Sequence, residues 1–174
     1  MFEKMDILKL FFEFSTKEFN TREVARCCKI SPSTASKDLK YLAKKNVLSE
    51  RKERMLNLYK ANLDSDIYRD MKIFYNIRKI KDSGLLNAIN EFYLKPSVII
   101  FGSCAFGMDT ETSDIDILVI SENKKPLENM KQLEKALKKE IQIIVVKDLK
   151  ELKNKHLINN ILNGIVIQGD VKWI

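Results

Sequence analysis

A chain of 174 residues with 45% hydrophobic side chains has apolar material for one or two small packed domains. It has no run of 18 or more apolar residues, so a transmembrane helix is excluded and no membrane partner is expected. Net charge is +7, and it is uneven: residues 1–62 hold 14 Lys and Arg against 8 Asp and Glu, whereas 63–174 hold 17 against 16. Excess positive charge in the N-terminal third suggests a nucleic-acid surface there, although a Lys-rich surface gives the same count. The cysteines are Cys27, Cys28 and Cys104. An odd number without Cys-x-x-Cys spacing argues against disulfides and zinc. The opening MFEKMDILKLFFEF is charged throughout and does not read as a signal peptide. A cytoplasmic protein is therefore expected.

Residues 3–14 alternate charge with Ile7, Leu8, Leu10, Phe11, Phe12 and Phe14, the pattern of an amphipathic helix. Thr21 reads as the N-cap of a second helix that runs to about Cys28, with at least one of Cys27 and Cys28 in the core. Ser31 followed by Pro32 opens a third helix that turns Leu39, Leu42 and Ala43 inward. It ends near Asn46, a residue able to take the left-handed cap conformation. Two short strands follow, 47–50 and 56–60, with the basic tip Arg51-Lys52-Glu53-Arg54 between them.

Residues 64–81 read as a linking helix with Ile67, Met71, Phe74, Tyr75 and Ile80 as its apolar stripe, and residues 85–93 as a shorter helix. That stripe either packs within the chain or forms a homodimer. Pro96 opens an apolar strand, 97–101, that runs into Gly102-Ser103. Asp114-Ile115-Asp116 then opens a second apolar strand, 117–120. A helix over 126–139, a strand over 141–146, a helical stretch over 149–162 and a last strand, 165–168, complete the chain. His156 is expected on the surface.

Residues i and i+2 of a strand share a face, so Asp114 and Asp116 point one way, roughly 6–7 Å apart along the backbone. Their oxygens can converge on Mg²⁺, which prefers hard oxygen ligands. A Gly-Ser turn that opens a helix presents free N–H groups to a phosphate. Two carboxylates so spaced also occur as solvated strand-edge charges, but the strand–Gly-Ser–strand context favours a site.

At these residues the chain resembles the minimal nucleotidyltransferases of the DNA-polymerase-β superfamily, over roughly Pro96 to Ile174. The resemblance implies a triphosphate on Gly102, Ser103 and Ser113, Mg²⁺ on Asp114 and Asp116, and transfer of a nucleoside monophosphate from a nucleoside triphosphate (NTP) to a hydroxyl or amine. Two positions depart from the family pattern. GSCAFG carries Phe106 where the family often has a phosphate-binding arginine. The family's third carboxylate matches Gln142, an amide that cannot act as a base. Glu140, two positions earlier, is a catalytic candidate only if the strand slides or bends by roughly 7 Å.

The N-terminal order of helix, helix, turn, helix and basic hairpin resembles a winged helix-turn-helix domain, with ISPSTASKDLKYLAKKNVL as its recognition segment. That resemblance implies duplex DNA as partner, with Ser33, Thr34 and Ser36 toward base edges and Lys37, Lys40, Arg51, Lys52 and Arg54 toward phosphates. Use of such a domain for protein contact alone is the alternative.

The expected architecture is α+β: a winged helix-turn-helix over 1–62, linking helices over 63–93 and a nucleotidyltransferase-like domain over 94–174, a small mixed sheet flanked by helices. The first functional reading is a DNA-binding, regulator-like protein whose second domain binds an NTP with Mg²⁺ but has an incomplete catalytic set. The second is an active nucleotidyltransferase acting on a protein or small molecule, for which the family resemblance implies a separate helical, toxin-like partner. The third is a degenerate transferase fold used for oligomerisation.

Overall fold

The computed structural model describes residues 5–128 and 130–171. The chain divides into two compact units, Met1–Tyr75 and Asn76–Ile174. The architecture is α+β, with eight α-helices and two sheets among the described residues. No helix among them is long and apolar enough to cross a membrane.

The first unit runs α1 (Met5–Glu13), β1 (Phe19–Asn20), α2 (Thr21–Cys27), α3 (Pro32–Lys44), β2 (Leu48–Glu53) and β3 (Leu56–Ala61). Residues 3 and 4, expected in the first helix, lie outside the described residues. Helix α1 buries Ile7, Leu8, Phe11 and Phe12, one stripe at helical spacing. Asn20, rather than Thr21, caps α2. Its side-chain oxygen accepts from the N–H groups of Arg22 and Glu23 at 2.9 and 3.0 Å, and Glu23 accepts from the Asn20 N–H at 2.8 Å. This capping box satisfies donors at both ends of the turn, and that reciprocity decides between two adjacent cap formers. Ser31 caps α3 by accepting from the Thr34 N–H at 3.1 Å, and Asn46 takes the left-handed conformation (φ 59°) beyond it. Leu39 and Leu42 are buried and Ala43 is half-buried on the same core. Cys27 is exposed and Cys28 only half-buried, so neither is a full core residue; Cys104 is the buried thiol.

The first sheet is antiparallel, in the order β1-β3-β2. Its hairpin is longer than expected. Arg51 and Lys52 lie within β2, opposite Leu58 and Asn57, and the turn falls at Arg54-Met55. Every β2 residue after Leu48 is exposed, so no apolar alternation marks the strand's extent. In α4 (Asp66–Asp82), Tyr68 and Met71 are buried, while Ile67 and Phe74 are 43% and 50% exposed. The buried stripe thus differs from the expected one. Tyr68 anchors it, donating its hydroxyl to the Phe11 carbonyl at 3.0 Å.

The second unit carries α5 (Leu85–Tyr93), β4 (Ser97–Phe101), α6 (Gly102–Ala105), β5 (Ile115–Ile120), α7 (Met130–Leu137), β6 (Ile141–Val146), α8 (Lys155–Leu162) and β7 (Ile165–Gln168). The sheet order is β6-β5-β4-β7; β4 is antiparallel to both neighbours, and β5 and β6 are parallel. Residues 98–101 are buried in succession because helices or loops cover both faces. Val98 and Ile100 join one core with Ile115, Ile117 and Val119; Ile99 and Phe101 join the other with Leu118 and Ile161.

Two expected helices are shorter than the sequence suggested. The one expected over 126–139 occupies Met130–Leu137, and residue 129 lies outside the described residues. The stretch 149–162 splits into a 3-10 turn, Leu149–Glu151, and α8. Asn154 makes the division by capping α8, accepting from the N–H groups of His156 and Leu157 at 2.9 and 3.2 Å. His156 is exposed, as expected.

Gly164 joins α8 to β7 with no room for a side chain. A Cβ there would lie 2.6 Å from the Ile100 carbonyl oxygen, 2.8 Å from Ile99 Cγ2 and 2.9 Å from the Ile161 carbonyl oxygen. Two of these atoms are backbone, so relief requires moving β4 or α8. Gly164→Ala should destabilise the chain by about 1–3 kcal/mol. Urea unfolding measures this, and an unchanged midpoint would contradict the close approach.

Candidate functional site

The end of β4 and the start of β5 build the site. Phe101 stands opposite Asp116 in the antiparallel pair, so the residue after Phe101 meets the Asp116 side chain. That residue is Gly102, at φ +68°, where a Cβ would collide with the Asp116 carboxylate. Only glycine satisfies both the left-handed backbone and the close approach. Helix α6 follows at once, with Ser103 half-buried in its first turn. The Ser103 carbonyl accepts from the N–H groups of Phe106 and Met108 at 3.2 and 3.0 Å and closes the turn. Phe106 is 37% exposed and ends α6.

Asp114 immediately precedes β5, and Asp116 lies within it; both are half-buried. Ile115 between them is buried in the core. Burial first, and then the neighbouring Asp114 charge, push the Asp116 carboxyl above its ordinary value. The parallel β5–β6 register sets Gln142 beside Asp116. The Gln142 amide nitrogen donates to Asp114 Oδ2 at 2.5 Å. Glu140 lies one step before β6, and its backbone carbonyl accepts from the Ile115 N–H at 2.9 Å. It shares an open pocket with Asp114, Ser113, Thr112, Glu111 and Glu134 and with Lys138 and Lys139. Among the described residues, no group of three His, Cys, Asp or Glu gathers as a metal cluster.

The loop between Gly-Ser and the Asp pair is tied internally. The Ser113 hydroxyl accepts from the Thr110 N–H at 2.9 Å. Asp109, 1% exposed, accepts from the Asn76 amide at 2.7 Å and pairs with Lys139 at 3.1 Å. Reading the sequence missed Asn76, Asp109 and Lys139. Asp109 and Lys139 are charges that pair with each other from far apart in sequence. The signal that would have raised them was the polar Asn76 within an apolar helical pattern.

In the first unit, Ser33, Thr34, Lys37 and Lys40 are exposed on α3, and Ser36 is half-buried. Tyr41 and Lys44 extend the same exposed face and were not singled out from the sequence. The Ser31 hydroxyl lies 2.8 Å from the hydroxyls of both Ser33 and Thr34, so these side chains also serve the helix cap. Lys52 and Arg54 are exposed on the hairpin. Arg51 is differently placed: its guanidinium bonds Glu18 through two nitrogens at 2.7 and 2.6 Å and pairs with Glu53 at 2.7 Å.

A mixed four-stranded sheet with a Gly-Ser turn packed on an Asp-x-Asp strand is nucleotidyltransferase-like. Residues 87–170 match the family described as polymerase beta, nucleotidyltransferase. The match begins within α5 and extends past β7. No curated protein matches the chain.

The raised Asp116 carboxyl has a stability consequence. A carboxyl whose folded value lies above its unfolded one contributes stability below the unfolded value, and this is lost as pH rises through the folded value. Asp116→Asn should therefore raise the thermal midpoint at about pH 8, and the gain should shrink toward about pH 3. Thermal unfolding across that range tests it; no gain at the alkaline end would contradict the burial of Asp116 beside Asp114.

Proposed function

We propose that residues 94–174 bind a nucleoside triphosphate with Mg²⁺, and that residues 1–62 are a winged helix-turn-helix that binds duplex DNA, with residues 63–93 connecting them. The chain then acts as a regulator-like DNA-binding protein whose second domain senses a nucleotide. The observation that carries the nucleotide half is the Gly102–Asp116 contact inside a nucleotidyltransferase-like domain. It holds the phosphate-binding turn against the carboxylates.

The donor set fits Mg²⁺. This ion is commonly held by one or two carboxylates and completed by substrate phosphates and water, so no all-protein cage is required. Asp114 and Asp116 would supply the carboxylates. A cation there would also offset the burial and the Asp114 repulsion that together raise the Asp116 carboxyl. When bound, Mg²⁺ would neutralise phosphate charge. Gly102 lets the backbone come close to phosphate, and Ser103 offers a hydroxyl donor. Ser113 holds the loop closed and supports the nucleotide less directly than its position suggests.

Rapid transfer is not expected. Gln142 occupies the register position beside Asp116, where its amide can neither accept a proton as a base nor add negative charge. Its bond to Asp114 makes it a holder of the first carboxylate. Phe106 supplies no cation. Loss of one such electrostatic contribution commonly costs about 10²–10³ in rate. One observation favours the active-transferase reading: Glu140 shares the pocket of Asp114. Transfer that Glu140→Gln abolishes would establish it.

Calorimetry with ATP and GTP, with and without Mg²⁺, tests the nucleotide half. Mg²⁺-dependent binding should vanish in Asp114→Asn/Asp116→Asn. Binding that persists unchanged would remove the site.

The DNA half is supported by the order of α1, α2 and α3 and the β2–β3 hairpin, and by the exposed α3 face of Ser33, Lys37, Lys40, Tyr41 and Lys44. Each phosphate contact contributes about 0.9 to the log–log salt slope. Replacing Lys52 and Arg54 together should flatten the slope by about 1.8. Arg51→Gln should change it little, because Glu18 and Glu53 already offset that charge. A mobility-shift series in salt reads both. No shift at low salt would leave protein contact as the domain's role.

A further inference from the structure

Lys139 has three N–H donors, and three oxygens receive them. Its ammonium pairs with Asp109 Oδ2 at 3.1 Å, donates to the Ser113 carbonyl at 3.1 Å and also bonds the Thr110 carbonyl. The other Asp109 oxygen accepts from the Asn76 amide at 2.7 Å, and that amide also donates to the Cys104 carbonyl at 3.1 Å. Side-chain exposure is 13% for Lys139 and 2% for Asp109. Lys138, at φ 56°, turns the chain sharply between α7 and β6, and Lys139 follows it directly.

The ends of this network are informative. Cys104 lies in α6, the helix that Gly102 opens. Ser113 is bonded through its peptide to Asp114. The network therefore spans the gap between the phosphate-turn residues and the carboxylate pair. A buried ion pair is a poor source of stability, because desolvation of both charges offsets their attraction. Apolar residues of similar size would fill the same space. What the ion pair supplies is fixed geometry: a carbonyl held by a full ammonium has one place to be.

We propose that Asp109, Lys139 and Asn76 are positioning residues, a largely buried strut that locks the Gly102-Ser103 turn and the Asp114–Asp116 pair at one separation. The role in nucleotide binding rests on the Mg²⁺–nucleotide reading above; the mechanical role of the strut does not. None of the three side chains needs to touch the ligand. Their effect reaches it through Cys104 and Ser113.

The test uses the full chain. Amide hydrogen exchange is measured without ligand for Lys139→Met, for Asp109→Asn and for Ile89→Ala. The last truncates a core side chain of the same unit that takes no part in the hydrogen-bonded network. Lys139→Met should speed exchange at least tenfold at the amides of Met108, Thr110 and Ile115 while the rest of the sheet stays protected. Asp109→Asn keeps the shape and removes the charge, so it serves if Lys139→Met fails to fold, and it should act in the same direction. Ile89→Ala should not single out the loop. Exchange that is unchanged in both strut variants, or that rises evenly as in Ile89→Ala, overturns the proposal. ATP and GTP titrations with Mg²⁺ form the second arm. Affinity should fall at least tenfold in the strut variants and hold in Ile89→Ala. If the unaltered chain binds neither nucleotide, the nucleotide reading fails, and the exchange arm still decides whether the strut exists.

Discussion

Residue 102 cannot carry a side chain, and the candidate site follows from that constraint. The β4–β5 register sets Phe101 opposite Asp116, so the chain leaving β4 must pass the carboxylate. Gly102 passes it at a positive φ and with no Cβ to collide. Shifting the register by one residue would send Asp116 into the core and bring Ile115 or Ile117 to the turn. The buried runs on both faces of β4 and β5 hold the register in place. Ordinary hydrophobic packing in the sheet thus fixes the distance between the Gly102-Ser103 turn and the carboxylate pair.

The third strand of the site explains its chemistry. Parallel pairing of β5 with β6 aligns Asp116 with Gln142 and leaves Glu140 one step before the strand. An amide at that place satisfies Asp114 by hydrogen bonding without adding charge. Two carboxylates and an amide suit a site that holds a metal–nucleotide complex better than one that deprotonates an acceptor. A domain that keeps the proposed nucleotide without rapidly consuming it would be suited to reporting nucleotide levels, which accords with the DNA-binding role proposed for the first unit.

Much of this was legible in the sequence. The strand–Gly-Ser–Asp-x-Asp order placed the turn, the carboxylate pair and the Gln142 strand, because apolar runs and glycine carry strong local signals. Apart from the local cap of α2, the features that escaped it depend on long-range partners. Asn20 displaced Thr21 as a cap through a reciprocal bond with Glu23. Arg51 read as a free wing charge, but Glu18, distant in sequence, holds it. The Asp109–Lys139 pair joins residues thirty positions apart. No periodicity reveals such a pair, since each charge alone looks like surface. The α4 stripe differed from expectation because Tyr68, with its buried hydroxyl, occupies the position that hydropathy assigned to Ile67.

The most direct measurement is a site map by nuclear magnetic resonance with Mn²⁺ in place of Mg²⁺, added with ATP or GTP to the isotope-labelled full chain. Paramagnetic broadening falls steeply with distance, so it reports where the ion sits. The account predicts selective loss of the amide signals of Gly102, Ser103, Ile115, Asp116 and Gln142 that requires nucleotide and disappears in Asp114→Asn/Asp116→Asn. Broadening centred elsewhere, or the same pattern in the double variant, would contradict it.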